Sequence, residues 1–230
     1  MIVRPDYIRA VTPFIDKPLV KILAGVRRCG KSTIFQMLYD ELVNRGVEKD
    51  RIIQKRYTEM DIPEDISAKD MYEQLRSDIQ GKGRCYLLLD EIQEVKGWER
   101  CVNSLLEGYD VDIYVTGSNS KLMSSEISTY LTGRFVAIPV YTLSFREYLD
   151  LKKQDSRSEN ELLEEYIRFG GFPIIALGNY DEQSAYQIVN GIYHTVISRD
   201  IVKRHRINRQ DLFDRVVKYV VENMGKTFSA

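Results

Sequence analysis

The sequence predicts an α/β protein in which a parallel sheet of five strands is covered by helices on both faces. Short apolar segments that suit buried strands alternate with segments whose apolar residues recur at helical spacing. A glycine-rich stretch, residues 25–32, joins one of these strands to a helix, and another strand ends in two adjacent acids, Asp90 and Glu91. In a sheet of this class, ligands bind at the carboxyl ends of the strands.

The composition excludes several classes of protein. The chain has 230 residues, of which 43% are hydrophobic and 29% charged, as in an ordinary soluble globular protein. Its longest apolar runs are strand-sized and its start lacks the apolar core of a signal peptide, so no membrane partner is expected. Cys29, Cys85 and Cys101 form no C-x-x-C pair, which favours a cytoplasmic location. The net charge of -1 gives no overall attraction to nucleic acid.

The first predicted strand is residues 18–25, "PLVKILAG", and the stretch that follows fits G-x-x-x-x-G-K-[ST] as "GVRRCGKS". The backbone N–H groups of such a loop wrap the phosphates of a nucleotide. We call residues 25–33 the phosphate loop. Its predicted nucleotide-binding residues are Gly25, Val26, Arg27, Arg28, Cys29, Gly30, Lys31, Ser32 and Thr33.

The helix predicted after this loop, residues 31–46, places Ile34 and Leu38 on one face. Its first turn carries Lys31 and Ser32, where the free N–H groups of a helix favour an anion. We expect Lys31 to contact the β and γ phosphates and the Ser32 hydroxyl to hold Mg²⁺. The alternative, a glycine turn with an incidental lysine, is disfavoured by the order of strand, loop and helix.

Residues 50–57 predict a second strand, and "RCYLLLDE" predicts a third that ends in Asp90 and Glu91. Two adjacent acids at such a strand end can divide the work of hydrolysis. Asp90 would bind Mg²⁺ through its water shell, and Glu91 would take a proton from the attacking water. The alternative is an acidic surface turn, which the coupling to the phosphate loop disfavours.

Residues 111–118 predict a fourth strand, which leads into the small polar residues Thr116, Ser118 and Asn119. A polar side chain at that position can orient the attacking water or touch the γ phosphate. Residues 134–140 predict the fifth strand.

The set "GVRRCGKS", "LLLDE", "VTGSN" and "LTGRF" resembles the AAA+ superfamily of P-loop ATPases. Within it, the chain is similar to the prokaryotic AAA-family ATP-binding proteins allied to origin-recognition-like and signal-transduction (STAND-type) ATPases. The resemblance covers the whole chain and implies a P-loop NTPase sheet of order 5-1-4-3-2. It also implies a nucleotide-binding core over residues 1–147, a helical lid over 148–207, and the start of a truncated winged-helix-like region over 208–230.

The resemblance assigns further site residues. Asn119 stands where the family has its sensor asparagine, with Ser118 as the alternative. Arg134 stands where the family has an arginine that acts on a neighbouring subunit, although Leu131 replaces a second arginine often found there. An ordinary surface ion pair is an equal alternative for Arg134. Pro173 and Phe172 are candidate contacts of the adenine; the alternative is that Pro173 is simply a proline in the first turn of a helix.

These residues predict an ATPase that binds ATP with Mg²⁺ and releases ADP and phosphate, driving or timing an action on a partner. The alternative is a nucleotide-gated interaction module that binds ATP and hydrolyses it rarely. Either protein could form a homo-oligomer. A protein or DNA partner would be contacted through the C-terminal region that we expect this chain to lack.

Overall fold

The five predicted strands form one parallel sheet of order β2-β3-β4-β1-β5, so the predicted order 5-1-4-3-2 is confirmed. The computed structural model describes residues 3–60, 62–63, 65–118, 122, 130–131, 133–202 and 207–224, with the backbone alone at 199–200. The strands are β1 (Val20–Gly25), β2 (Ile52–Arg56), β3 (Cys85–Asp90), β4 (Val111–Ser118) and β5 (Phe135–Val140).

The central strands β1, β3 and β4 are buried along their whole length, as expected where helices cover both faces of a parallel sheet. The edge strands β2 and β5 are partly exposed. In the register of the sheet, Gly25 lies beside Ser118 on one side and Val140 on the other. The carboxyl ends of β1, β4 and β5 therefore meet at one edge.

Helices pack on both faces of the sheet. They are α1 (Pro5–Val11), α2 (Lys31–Asn44), α3 (Ala68–Ile79) and α4 (Trp98–Gly108). One face is covered by α3 and α4, through Met71, Leu75, Ile79, Trp98, Val102 and Leu105. The other face is covered by α1 and α2, through Val11, Ile34, Phe35, Leu38 and Leu42.

A helical region follows β5. It contains α5 (Phe145–Leu151), α6 (Glu159–Phe169), α7 (Pro173–Leu177), α8 (Glu182–Thr195), a π-helical segment (Val196–Val202) and α9 (Gln210–Glu222). Ser144 and Ser158 cap α5 and α6 with capping boxes. The predicted boundary between core and lid, at residue 147, falls inside α5. Within the described ranges, every helix is too short or too polar to cross a bilayer.

A buried ion pair joins β1 to β4 near the amino edge of the sheet. The Lys21 ammonium donates to the Asp112 carboxylate and, at 2.8 Å, to the carbonyl of Lys17. The second carboxylate oxygen of Asp112 accepts from the Asp16 N–H and the Tyr114 hydroxyl, each at 2.8 Å. Burial lowers the pKa of Lys21 although the facing carboxylate raises it. The pair lies at the opposite edge from the phosphate loop.

Replacing Lys21 with methionine should lower the free energy of unfolding by about 3–5 kcal/mol, because Asp112 would keep a buried charge without its cation. Urea unfolding of the Lys21→Met chain measures this loss. The matched control is Lys17→Met, since the Lys17 side chain is exposed and only its backbone carbonyl joins the pair. Equal stability of the two variants would contradict the structural role of the ion pair.

Candidate nucleotide-binding site

Two residues of the phosphate loop have a positive φ angle. Gly30 has a φ of 102°, which glycine tolerates, and Arg28 has a φ of 63°, which is uncommon for other residues. Gly25 begins the loop against β5, where a Cβ atom would lie 2.2 Å from the carbonyl oxygen of Val140. A side chain at position 25 would therefore push the loop away from the sheet.

Lys31, in the first turn of α2, is enclosed by the loop and is only 4% exposed. Its ammonium donates to the carbonyl oxygens of Gly25 and Val26, both at 3.1 Å. It also lies 3.7 Å from the carboxylate of Glu91. The structure thus brings together the predicted phosphate-binding lysine and the predicted catalytic acid.

Asp90 ends β3 and is 5% exposed. One carboxylate oxygen accepts from the Ser32 hydroxyl at 2.8 Å and from the Arg56 Nε at 3.1 Å. The other accepts from the Thr116 hydroxyl on β4. Ser32 and Asp90, the two predicted magnesium ligands, are therefore in direct contact, and hydroxyl and carboxylate oxygens suit Mg²⁺. Arg56 was not predicted from the sequence, because only the pairing of β2 with β3 brings it to this carboxylate.

Glu91 follows with a φ of 55°, a left-handed conformation that costs energy in a residue other than glycine. Its N–H donates to the Thr116 hydroxyl at 3.1 Å, and its carboxylate accepts from the Gln93 amide. Thr116 thus holds both acids, since the same hydroxyl donates to Asp90. Asp90 faces Ser32 and Arg56, whereas Glu91 lines the adjoining cavity.

This cavity has a volume of about 490 Å³, within the range of small-molecule sites. The core contributes Arg28, Gly30, Lys31, Ser32, Thr33 and Glu91. The opposite wall belongs to residues 171–180, which we call the lid segment, and is formed by Pro173, Ile174, Leu177, Gly178 and Tyr180. The predicted base contact Pro173 therefore faces the same cavity as the phosphate loop. A larger cavity, of about 890 Å³, lies between α8 and α9 and shares no residue with this one.

Four lid-segment residues on this wall were not predicted from the sequence: Ile174, Leu177, Gly178 and Tyr180. Leu177 is 65% exposed and Tyr180 is 43% exposed, so both side chains keep apolar surface open beside the phosphate loop. Flat apolar and aromatic surfaces of this kind suit the face of a nucleotide base.

Arg134 lies away from this cavity. It precedes β5, whose register pairs Phe135 with Val20 and Val140 with Gly25. Arg134 is thus at the amino edge of the sheet, six residues or about 20 Å along the strand from the level of Gly25 and the phosphate loop. Its guanidinium is half exposed and donates to the Glu107 carboxylate at 3.2 Å. The placement excludes contact with a nucleotide in the same chain and leaves the subunit-bridging role a prediction.

The predicted sensor residue Asn119 lies outside the described residues. The alternative, Ser118, ends β4 and is 1% exposed. Its hydroxyl has no hydrogen-bond partner within the described part of the chain. Its role as a sensor stays a prediction.

Comparison with known families agrees with this geometry. Residues 17–149, more than half of the chain, match the family model described as AAA domain. Residues 160–230 match a domain of unknown function (DUF8612). The chain belongs to the AAA domain family, and its sheet has the P-loop NTPase fold predicted from the sequence.

Two relatives extend beyond this chain. An uncharacterized protein of Haemophilus influenzae is 33% identical over 229 residues, which is 98% of this chain and 57% of the relative. An uncharacterized protein of Methanocaldococcus jannaschii is 33% identical over 202 residues, 82% of this chain and 43% of the relative. The chain therefore spans about half the length of these relatives.

A solved structure of a DNA polymerase III gamma subunit-related protein from Thermotoga maritima is also similar. It shares 12% identity over 80% of this chain and 57% of its own, with a TM-score of 0.45. At this level the likeness bears on neither ligand nor partner.

Proposed function

We propose that this chain binds ATP with Mg²⁺ and hydrolyses it to ADP and phosphate, driving or timing a conformational action on a partner. The proposal rests on four side chains that meet at the carboxyl edge of the sheet. The Ser32 hydroxyl lies 2.8 Å from the Asp90 carboxylate, and the Lys31 ammonium lies 3.7 Å from the Glu91 carboxylate. Phosphate released from MgATP tests it, and release no greater than that of a Lys31→Ala chain would reject it.

The phosphate end of the nucleotide would bind at the loop. Lys31 and the N–H groups at the start of α2 supply positive charge and donors to the β and γ phosphates. The Ser32 hydroxyl and the Asp90 carboxylate would hold Mg²⁺, since they already lie 2.8 Å apart. Held by these two residues, Mg²⁺ would supply positive charge to balance the charge that develops on the transferred phosphoryl group. Thr116 fixes the Asp90 carboxylate from the opposite side.

The Glu91 carboxylate would act as the general base. It lines the cavity, whereas Asp90 is directed toward Ser32 and Arg56. The Glu91 carboxylate accepts from the Gln93 amide, and the Glu91 N–H donates to the Thr116 hydroxyl. Both the side chain and the backbone of Glu91 are therefore held in place. A carboxylate held in this way can accept a proton from water as the water attacks the γ phosphate.

The base of the nucleotide would bind against the lid segment. Pro173, Ile174 and Leu177 offer an apolar surface, and Tyr180 adds an aromatic ring. Because this wall belongs to the helical region and the phosphate loop belongs to the core, one bound nucleotide would bridge the two. Its hydrolysis could then change how they are arranged.

The nucleotide-gated module remains the second candidate. It is favoured by the placement of Arg134, which pairs with Glu107 at the edge of the sheet away from the cavity. A single chain would then hydrolyse ATP without a contact from Arg134 to the γ phosphate, as slow switches work without such an arginine. In either case we propose a cytoplasmic protein whose partner, a protein or DNA, contacts the longer chain found in the relatives.

The role of Arg134 separates the two candidates. If it acts on a neighbouring subunit, Arg134→Ala should leave ATP affinity unchanged and lower turnover about tenfold or more, because the contact forms only in the transition state. Mixing Arg134→Ala with Lys31→Ala should then restore turnover, since each chain supplies what the other lacks.

The matched control is Glu107→Gln, which removes the ion pair and keeps the arginine. It should hydrolyse ATP at least as fast as the unchanged chain. Failure of the mixture to recover activity, at concentrations where sedimentation shows the chains associated, would leave Arg134 as a surface ion-pair residue.

A further inference from the structure

Arg4, which the sequence analysis did not single out, is among the most deeply buried charged residues that the structure describes. Its side chain is 2% exposed. Nη1 donates to the carbonyl oxygens of Cys29 at 3.1 Å and Tyr141 at 3.0 Å. Nη2 donates to the carbonyl of Thr142 at 3.2 Å, and Nε donates to the Glu147 carboxylate at 2.7 Å. One guanidinium therefore contacts the phosphate loop and the connection from β5 to α5.

On the core side, Arg4 fixes one peptide group of the phosphate loop. The carbonyl of Cys29 and the N–H of Gly30 belong to the same planar trans peptide and point in opposite directions. Holding the carbonyl toward Arg4 directs the Gly30 N–H away from it. Gly30 lines the cavity, and it adopts the left-handed φ of 102° that lets the chain turn into α2. Arg4 thus determines how a loop donor is presented.

On the other side, the same arginine is connected to the lid segment. Leu143, next in the chain after Thr142, donates its N–H to the carbonyl of Gly171 at 2.7 Å. The contact is close, because a Cβ at Gly171 would lie 2.1 Å from the Leu143 oxygen. Gly171 is two residues before Pro173, which forms part of the cavity wall. Hydrogen bonds and two short stretches of chain thus lead from Cys29 through Arg4 to Pro173.

We propose that Arg4 is a positioning residue that holds the phosphate loop and the lid segment in a fixed relation across the cavity of the nucleotide-free protein. The inference rests on the proposed nucleotide function. A buried guanidinium that loses some of its acceptors leaves donors unsatisfied, which costs far more than the bond itself contributes. If the phosphate loop and the lid segment separated, the Arg4 guanidinium would lose acceptors and incur this cost. The two walls of the cavity are therefore expected to move together.

Arg4→Gln should weaken MgATP binding at least tenfold, because the loop carbonyl and the β5–α5 connection lose their shared donor. The MgATP affinity of Arg4→Lys should fall between those of Arg4→Gln and the unchanged chain, since a lysine has one donor group and cannot span both walls. Arg9→Gln is the control, because Arg9 lies in α1, the helix that Arg4 precedes, is 72% exposed, and has its one described ion pair with Asp6. Calorimetric titration of the 230-residue chain with MgATP measures all three affinities.

Hydrogen exchange without nucleotide provides a readout that a merely stabilising residue would not give. Arg4→Gln should speed exchange in residues 26–30 and 171–177 together, while the buried strands β3 and β4 keep their protection. In Arg4→Ala, millimolar guanidinium should slow hydrogen exchange in both segments again, because the free ion can occupy the place of the missing side chain. In Arg9→Gln it should leave exchange in these segments unchanged. If Arg4→Gln does not fold, Arg4→Lys decides the same measurements.

Faster exchange in only one of the two segments, or in every segment equally, would overturn the proposal. Unchanged affinity in Arg4→Gln, with normal MgATP binding by the unchanged chain, would overturn it as well. If the unchanged chain does not bind MgATP, the proposed function fails, whereas hydrogen exchange still decides whether Arg4 couples the two walls.

Discussion

The Lys31→Ala chain is expected to lose measurable affinity for MgATP. Lys31 is the one buried ammonium lining the cavity among the described residues, and it stands at the start of α2 between the loop carbonyls and Glu91. Hydrogen bonds to charged groups each contribute about 1.5–3 kcal/mol, so losing two phosphate contacts should weaken binding by about a hundredfold or more. The neighbouring N–H groups alone do not balance the charge of the γ phosphate.

Calorimetry with MgATP is the direct measurement for this variant. Lys153→Ala is the matched control, because Lys153 is 73% exposed and pairs with Asp150 on α5, away from the cavity. The control should bind as the unchanged chain does. An affinity of Lys31→Ala within threefold of the control would mean that the phosphate loop is not the nucleotide site.

Glu91→Gln is expected to bind MgATP normally and to release phosphate at least about a hundredfold more slowly. The substitution keeps the size of the side chain and removes its ability to accept a proton, and general bases contribute about 10²–10⁴ in rate. The backbone bond from residue 91 to Thr116 does not involve the side chain, so the metal-side carboxylate of Asp90 should stay in place. Affinity and rate should therefore separate in this variant.

The matched control for this experiment is Glu73→Gln. Glu73 lies on α3, does not line the cavity, and is 60% exposed in its pair with Lys69. Its phosphate release should equal that of the unchanged chain. A parental rate in Glu91→Gln would show that this acid is not the base and would favour the nucleotide-gated module. An equal loss in both variants would point to a general effect of charge.

The strands could be predicted from the sequence because a parallel sheet buried on both faces needs continuous apolar segments. β3 is such a segment as far as Asp90, and β1 and the first part of β4 are apolar except for Lys21 and Asp112, which pair with each other. Their spatial order was implied by the family resemblance, since local patterns do not specify which strands pair. The phosphate loop could be predicted from the sequence because its function depends on nine consecutive residues, 25–33, and not on pairing between distant segments.

Contacts between distant parts of the chain account for what the sequence did not reveal. Arg4 is 25 positions from Cys29 and 143 from Glu147. Arg56 reaches Asp90 only because β2 pairs with β3. Tyr180 joins the cavity because the helical region folds back over the core. Short periodic patterns carry no information about such pairs. The small polar residues Thr116 and Ser118 could be recognised from the sequence because they end the strand β4, which lies beside β1.

Phosphate release by the unchanged 230-residue chain, measured with saturating MgATP over a range of protein concentrations, tests the central claim most directly. We expect turnover well above that of Lys31→Ala at every concentration, and turnover per chain that rises with concentration if Arg134 acts across subunits. Release equal to that of Lys31→Ala throughout would contradict the claim that this cavity hydrolyses ATP.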